Sequence, residues 1–141
     1  MDNIEKIYDK IAMELEEYLQ ENSMYKPYFY KVDFETKEFP RVVFKELPRE
    51  IRYTTLSYTE EQYIYGFEIN VYSISNRMVS SATIANEISS HIEKFFKDKY
   101  RMNITVSRNV PNEDTDVYRN LIQANCIIDT KFKDRLVIYP S

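Results

Sequence analysis

Two stretches of the chain place hydrophobic residues at helical spacing, with charged and polar residues between them. In residues 3–21 these positions are Ile4, Ile7, Ile11, Leu15 and Leu19, with Tyr8 and Tyr18 beside them. In residues 77–99 they are Ile84, Ala85, Ile88, Ile92, Phe95 and Phe96. Because this spacing puts the side chains on one face of a helix, each stretch predicts an amphipathic helix. Asp2 is a candidate cap for the first helix, and Ser75 or Asn76 for the second.

Alternation of hydrophobic and polar residues predicts strands in most of the remaining chain. In residues 62–74 the hydrophobic face is Tyr63, Tyr65, Phe67, Ile69 and Val71, and in residues 117–130 it is Ile122, Ala124, Cys126 and Ile128. In residues 102–108 the predicted face is Met102, Ile104 and Val106. Shorter strands are predicted at 40–46, near 53–58 and at 135–139, whereas the pattern of the aromatic segment 22–38 assigns no element.

The single glycine, Gly66, lies inside the predicted strand 62–74. A glycine within a strand marks a bulge or a close approach of another group to the backbone, or it is simply tolerated. The sequence favours neither interpretation.

The order of helix, strands, helix and strands predicts a single α+β domain over residues 1–141. The simplest architecture is a four- to five-stranded, mostly antiparallel sheet with both helices packed on one face. A protruding loop or hairpin is expected at about 47–61, and a short C-terminal strand or tail at 131–141. The other face of the sheet is then polar or covered by another chain. The strand 117–130 directs a mixed set of residues toward it: Arg119, Leu121, Gln123, Asn125 and Ile127.

Composition narrows the functional classes. The 141 residues include one glycine, one cysteine and one histidine. Phosphate-binding loops need several glycines, and disulfides and the common zinc sites need several cysteines or histidines. We therefore expect no nucleotide-binding loop, no metal site and no cofactor. No apolar run approaches the length of a membrane span and the N-terminus lacks the features of a secretory signal, so we expect no membrane partner.

Few residues offer catalytic chemistry. Cys126 lies in the middle of a strand on the predicted core face, where a thiol is an inert small hydrophobic group. His91 lies on the second helix, one turn from Ile88, and is expected at its flank. Two groups of carboxylates fall in predicted turns, where acids are mostly solvated: Glu60 with Glu61, and Glu113 with Asp114 and Asp116. The chain is therefore not expected to be an enzyme.

The order of the segments resembles that of a known family. The stretches that carry the resemblance are EQYIYGFEINVYSIS, SSATIANEISSHIEKFF and VPNEDTDVYRNLIQANCIID. They form a strand, a helix, and then a Pro-Asn loop at Pro111 and Asn112 before a strand that begins near Arg119. In this order the chain is similar to the tail terminator, or tail completion, proteins of long-tailed bacteriophages, which include head–tail joining proteins.

The resemblance implies a structural virion protein. Such α+β subunits close into a ring, expected to be a hexamer, that caps the tail tube, ends its polymerisation and provides the joint to the head. The implied partners are further copies of the chain, the tail tube protein and the head–tail connector protein, with DNA passing through the lumen without specific binding. The implied location is the virion, at the head–tail junction, after synthesis in the host cytoplasm. Six copies at −4 each carry −24, so we expect an acidic lumen that repels phosphates.

Long polar loops on a compact domain often carry recognition, so we expect contacts in the 47–61 and 109–116 loops. The residues expected at these interfaces are Arg49, Arg52, Glu60, Glu61, Asn112, Asp114, Asp116 and Arg119. The alternatives are surface loops without a role, a small cellular α+β binding module, and a carboxylate-dependent hydrolase.

Overall fold

The structure, a computed structural model, describes residues 2–32, 38–48, 50–54, 61–111, 114, 116–129 and 137–140. Within these residues the helices are α1 (Asp2–Asn22) and α2 (Ser81–Tyr100). The strands are β1 (Tyr28–Tyr30), β2 (Arg41–Glu46), β3 (Glu50–Thr54), β4 (Glu61–Ser73), β5 (Asn103–Val110), β6 (Tyr118–Asp129) and β7 (Val137–Pro140).

The strands form one sheet whose main path is β1-β2-β4-β6-β5, with β3 beside the start of β4 and β7 beside the end of β6. Every pair is antiparallel except β1 with β2. Both helices pack on one face: the ring of Phe67 in β4 stacks 6.1 Å from Tyr8 of α1 and 6.1 Å from Phe96 of α2. The predicted α+β architecture, with a mostly antiparallel sheet and two helices on one face, is confirmed.

The core lies between the helices and this face of the sheet. The odd-numbered residues of β4 from Tyr65 onward and the even-numbered residues of β6 up to Cys126 point into it, as predicted. They include Tyr65, Phe67, Ile69, Val71, Ile122, Ala124 and Cys126, all buried. The helices contribute Ile11, Leu15, Leu19, Ile84, Ile88, Ile92 and Phe96. Full burial of each large apolar side chain is worth about 1.5–3 kcal/mol, so this layer is the main source of folding free energy.

Strands β4 and β6 form a continuous antiparallel ribbon at the centre of the sheet, from Gln62 with Asp129 to Ser73 with Tyr118, without a register shift. Gly66 is therefore not at a bulge. It lies close beneath Leu47, whose N–H donates to the Gly66 carbonyl oxygen at 2.9 Å. A Cβ atom on Gly66 would stand 3.4 Å from the Leu47 Cδ1 atom, which is ordinary van der Waals contact, so the packing does not require a glycine and agrees with a glycine that is simply tolerated.

A bulge in β5 changes which residues face the helices. Ile104 pairs with Ala124, whereas Val106 pairs with Gln123. Two residues of β5 thus advance the register by one position of β6, and the side chains beyond the bulge change sides. The prediction that Met102, Ile104 and Val106 share one face is wrong for Val106, which lies on the side of the sheet away from the helices.

Helix α2 begins later than predicted, and its N-cap is neither Ser75 nor Asn76, although the Oγ atom of Ser75 accepts the N–H of Ser81, the first residue of the helix, at 3.0 Å. Its N-cap is Ser80, whose Oγ atom accepts a hydrogen bond from the N–H of Thr83 at 3.2 Å. The Oδ1 atom of Asn76 instead accepts the N–H of Val79 at 2.7 Å, within the turn that precedes the helix. Asparagine side chains hydrogen-bond to nearby backbone groups in turns as well as at helix caps, and Asn76 does so in the turn.

The aromatic segment that the sequence left unassigned supplies β1, which runs parallel to β2 at the end of the strand path. Tyr28 pairs with Arg41, and the ring of Phe29 packs 6.0 Å from that of Phe44. The segment therefore extends the sheet and seals the core beside β2.

Candidate assembly surfaces

The residues expected at interfaces divide between the two ends of the β4–β6 ribbon. Arg52 lies in β3 and Glu61 opens β4, at one end. Asp114, Asp116 and Arg119 lie at the other end, in the turn before β6 and at its start. Since a strand rises about 3.3 Å per residue, the ribbon separates the two groups by about 40 Å. The remaining three, Arg49, Glu60 and Asn112, lie outside the described residues.

Asp114 shapes the turn that leads into β6. Its Oδ1 atom accepts the N–H of Asp116 at 3.0 Å, and its carbonyl oxygen accepts the N–H of Val117 at 3.1 Å. An aspartate that bonds to backbone two residues on is typical of a structured turn. Asp116 is exposed beside it, so this end of the subunit presents a shaped acidic turn.

Arg119 belongs to a row of three side chains that crosses the sheet on the face away from the helices. Arg41 of β2, Tyr72 of β4 and Arg119 of β6 are direct cross-strand partners. The Cζ atoms of Arg41 and Arg119 lie 4.4 Å and 5.7 Å from the centre of the Tyr72 ring, within reach of a cation–π interaction. The Nε atom of Arg119 also donates to the Oδ1 atom of Asn70 at 2.8 Å. Arg119 is thereby fixed against the sheet.

The face of the sheet away from the helices, called the far face below, carries charges of both signs. The register of the strands assigns to it the cations Arg41, Lys45, Arg108 and Arg119 and the carboxylates Glu50, Glu68 and Asp129. Arg108 is exposed, and Lys45 and Arg119 are half-buried.

Cys126 is buried in the core, as predicted. Its S–H group donates to the Tyr65 carbonyl oxygen at 3.7 Å, and burial raises the pKa of the thiol to about 12. Since the thiolate is the reactive form, this cysteine is not a nucleophile in the folded protein.

His91 lies at the flank of α2, where its Nε2 atom is 3.0 Å from the Oε1 atom of Glu87. The Oε2 atom of Glu87 accepts the hydroxyl proton of Ser23 at 3.0 Å, just beyond the end of α1. The serine is thus bonded to the carboxylate and not to the imidazole. This cluster ties the end of α1 to α2 and lacks the serine–histidine bond of a hydrolase.

A polar groove of about 260 Å³ between α2 and the β5–β6 pair is a feature that the sequence did not reveal. At its base the Nδ2 atom of buried Asn120 donates to the Oδ1 atom of Asn86 at 2.9 Å and to the Oγ atom of Ser89 at 3.0 Å. Asn120 occupies an even-numbered position of β6, one step before the apolar run that begins at Ile122. A polar residue at a position where the alternation predicts a core-facing side chain is the sequence feature that could have indicated this groove.

Among the described residues, no three histidine, cysteine, aspartate or glutamate side chains converge as metal ligands. Neither described helix has the length and apolar character needed to cross a membrane. A scan against protein-family models and a search of curated protein sequences find no match for the chain. The fold and its surfaces are therefore the basis for a functional proposal.

Proposed function

We propose that the chain is a structural subunit of a long-tailed bacteriophage, six copies of which form a ring that caps the tail tube and joins it to the head-side connector. The observation that carries the proposal is the position of the interface candidates at opposite ends of the β4–β6 ribbon. A ring between a tube and a connector needs two separate axial contact regions. A stiff ribbon with a contact group at each end meets that need.

Closure of a ring also needs two different lateral surfaces on each subunit, because contacts repeat head to tail. The ends of the strand path supply unlike edges: β1 has 3 residues and β5 has 8. The backbone groups at the end of a sheet are natural sites for strand addition by another chain. The fold thus offers lateral as well as axial contacts.

A non-catalytic role agrees with the state of the reactive side chains. The Cys126 thiol is buried with a raised pKa, and His91 is paired with Glu87. Asp114, a candidate for carboxylate chemistry, organises its own turn. In the proposed ring DNA passes through an acidic lumen without being held, and a basic lumen in a map of the assembled ring would contradict this part.

The direct test is electron microscopy of the purified protein mixed with tail tubes assembled from the tube protein of the same virus. The expected result is a disc at one end of each tube and an arrest of tube growth. A protein that stays monomeric and leaves the tubes uncapped would refute the proposal.

A second test changes the residues at each end of the β4–β6 ribbon in separate variants. Replacing Arg49, Arg52, Glu60 and Glu61 with alanine changes one end, and replacing Asp116 with lysine changes the other. Each variant is expected to lose one axial partner and keep the second, because the altered groups are about 40 Å apart. Normal binding of both partners by both variants would remove these residues from the proposed contacts.

A further inference from the structure

Two amide oxygen atoms in the polar groove between α2 and the β5–β6 pair receive no hydrogen bond from the described residues. Asn120, at the base, uses both hydrogen atoms of its amide for Asn86 and Ser89, and so offers only its Oδ1 atom. Asn109 is its cross-strand partner on β5, and its Nδ2 atom donates to the Arg119 carbonyl oxygen at 2.8 Å. Cross-strand partners have Cβ atoms about 5 Å apart, so the two amides lie side by side.

Glu93 supplies a charged acceptor in the same groove. It follows Ser89 by four residues on α2, so it lies one helical turn further along the same wall. Its side chain is half-buried, and none of the described residues forms an ion pair or a hydrogen bond with it. A carboxylate that loses part of its hydration without gaining a partner costs free energy, so the groove favours a ligand that brings positive charge.

The group formed by Asn109, Asn120 and Glu93, called the acceptor site below, distinguishes between classes of ligand. An anion such as phosphate needs donors and is repelled by the carboxylate. A calcium ion takes about six to eight oxygen ligands, more than these three side chains supply. A primary ammonium group has three N–H donors and one positive charge, which match three acceptors of which one is charged. The acceptor site therefore has the chemistry of an ammonium site.

A second groove, of about 270 Å³, adjoins the polar groove and shares Asn109 and Tyr118 with it. Its lining also includes Pro111 and Val117, so this groove is more apolar than the first. A lysine side chain combines a charged head with a stem of methylene groups, and such stems pack along apolar and aromatic surface. The two grooves together therefore accommodate an ammonium group and the alkyl chain that carries it.

We infer that the two grooves bind a primary alkylammonium group, with the nitrogen at the acceptor site and the alkyl chain along Tyr118 and Val117. This site goes beyond the proposed ring function and does not depend on it. Two sources supply the same chemistry: a free alkyl diamine, and the lysine side chain of another protein. Because Asn109 and Pro111 are exposed and the grooves are open to solvent, one such group binds weakly, with a Kd on the order of 1–10 mM.

The test is a titration of the protein with n-butylammonium chloride, the analogue of a lysine side chain, followed by two-dimensional NMR. The expected result is a saturable shift of the side-chain amide signals of Asn86, Asn109 and Asn120, which weakens as the salt concentration increases. The ligand control is n-butanol at the same concentrations, because it keeps the alkyl chain and lacks the charge.

Glu93→Gln removes the charge of the acceptor site and keeps the shape of the side chain. It is expected to weaken binding about tenfold or more, because a charge-assisted hydrogen bond is lost. It is not expected to lower the melting temperature, because the carboxylate has no partner among the described residues. A purely structural role for Glu93 would give the reverse: lower stability and unchanged binding.

Asn109→Ala removes a neutral acceptor and is expected to weaken binding about fivefold. Asn103→Ala is its matched control, because Asn103 is exposed on the same strand and lies outside both grooves. Glu16→Gln, at an exposed position of α1, is the matched control for Glu93→Gln. Both controls are expected to bind butylammonium like the wild type, and thermal melts of all variants check their folding.

The absence of shifts at these amides up to about 50 mM butylammonium would overturn the inference. Equal shifts with n-butanol would overturn it in favour of an apolar groove, and equal shifts with sodium or magnesium chloride in favour of a metal-ion site. Unchanged binding by Glu93→Gln would also overturn it.

Two further ligands identify the source of the ammonium group. Tighter binding of putrescine than of butylammonium indicates a free diamine, whose second ammonium group finds a further contact. Tighter binding of Nα-acetyl-lysine amide indicates the lysine of another protein. Both results support the ammonium site, and neither bears on the ring function, which is tested with tail tubes.

Discussion

The hydroxyl of Tyr8 on α1 donates a hydrogen bond to the backbone carbonyl oxygen of Phe44 on β2 at 2.7 Å. The same two residues stack their rings with centroids 5.2 Å apart and planes 4° from parallel. The Phe44 carbonyl oxygen thus receives a hydrogen bond from a side chain of the helix. This pair joins the first half of α1 to β2.

Tyr8→Phe keeps the stacked ring and removes only the hydroxyl. The change leaves the Phe44 carbonyl oxygen short of a donor, so we expect the free energy of unfolding to fall by about 1 kcal/mol. Urea denaturation followed by circular dichroism measures the difference. Tyr28→Phe, at a side chain that is 50% exposed, is the control and should change little.

The same hydroxyl predicts a response to alkaline pH. Burial, with the negative charges of Glu46 and Asp9, raises the pKa of Tyr8 from 10.0 to about 12. A pKa raised in the folded state means that the stabilisation is complete below pH 10 and is lost as the pH rises toward 12. The difference in stability between wild type and Tyr8→Phe should therefore shrink across that range. A difference that stays constant from pH 9 to pH 12 would contradict the assignment.

Glu14 on α1 contacts two residues at the C-terminal end of α2. Its carboxylate accepts a hydrogen bond from the hydroxyl of Tyr100 and lies 3.0 Å from the Nζ atom of Lys99. Burial acts to raise the pKa of Glu14, but these two partners outweigh it and the pKa is lowered. The stabilisation is present above the ordinary value of 4.5 and is lost as the pH falls through the lowered pKa.

Glu14→Gln is therefore expected to cost about 1–2 kcal/mol near neutral pH and progressively less in acid. Chemical denaturation at several pH values measures both the size and the slope. Glu17→Gln removes an exposed carboxylate from the same helix and is expected to be nearly neutral.

Substitutions at Gly66 measure how much space there is between β4 and the Leu47 side chain. The backbone there does not need a positive φ, and a Cβ atom would meet the Leu47 Cδ1 atom and the Ala124 carbonyl oxygen at 3.4 Å. Gly66→Ala should change stability by less than about 1 kcal/mol, because lower chain entropy offsets tight contact. Gly66→Val adds two methyl groups and should cost about 1–3 kcal/mol. Equal stability of the two variants would show that Leu47 does not restrict the site.

Cys126 should resist thiol reagents in the native protein. It is fully buried and its pKa is raised to about 12, so reaction requires opening of the sheet. The rate of labelling is expected to rise with denaturant in parallel with unfolding. Labelling of the native protein at the rate of a free cysteine would place the thiol elsewhere.

The central ribbon was predictable because its pattern is long and regular. Tyr65, Phe67 and Ile69 alternate without interruption, as do Ile122, Ala124 and Cys126 in the partner strand, and both core faces were assigned correctly. Individual positions outside this regular pattern were harder to predict. Val106 follows a bulge, and a bulge is a property of strand pairing that local alternation does not encode. Likewise β1 has only 3 residues and depends on a pairing with β2.

The surfaces were predictable only in part. Arg119 was singled out from its place in the sequence, but its neighbours Arg41 and Tyr72 lie on other strands and are brought beside it by the register. The mixture of charges on the far face arises from the same register, since its four cations come from three strands. The net charge of −4 does not reveal how the charges are distributed, because it sums over all faces at once.

The central ribbon also governs when the chain can fold. β4 pairs only with strands that precede it until β6 has been synthesised, because α2 and β5 lie between the two partners in sequence. Contacts between residues so distant in sequence slow folding, so we expect it to take milliseconds to seconds. During synthesis the edge of β4 that pairs with β6 therefore remains unpaired until residues 118–129 emerge from the ribosome. In that interval the nascent chain is most exposed to aggregation and most dependent on chaperones.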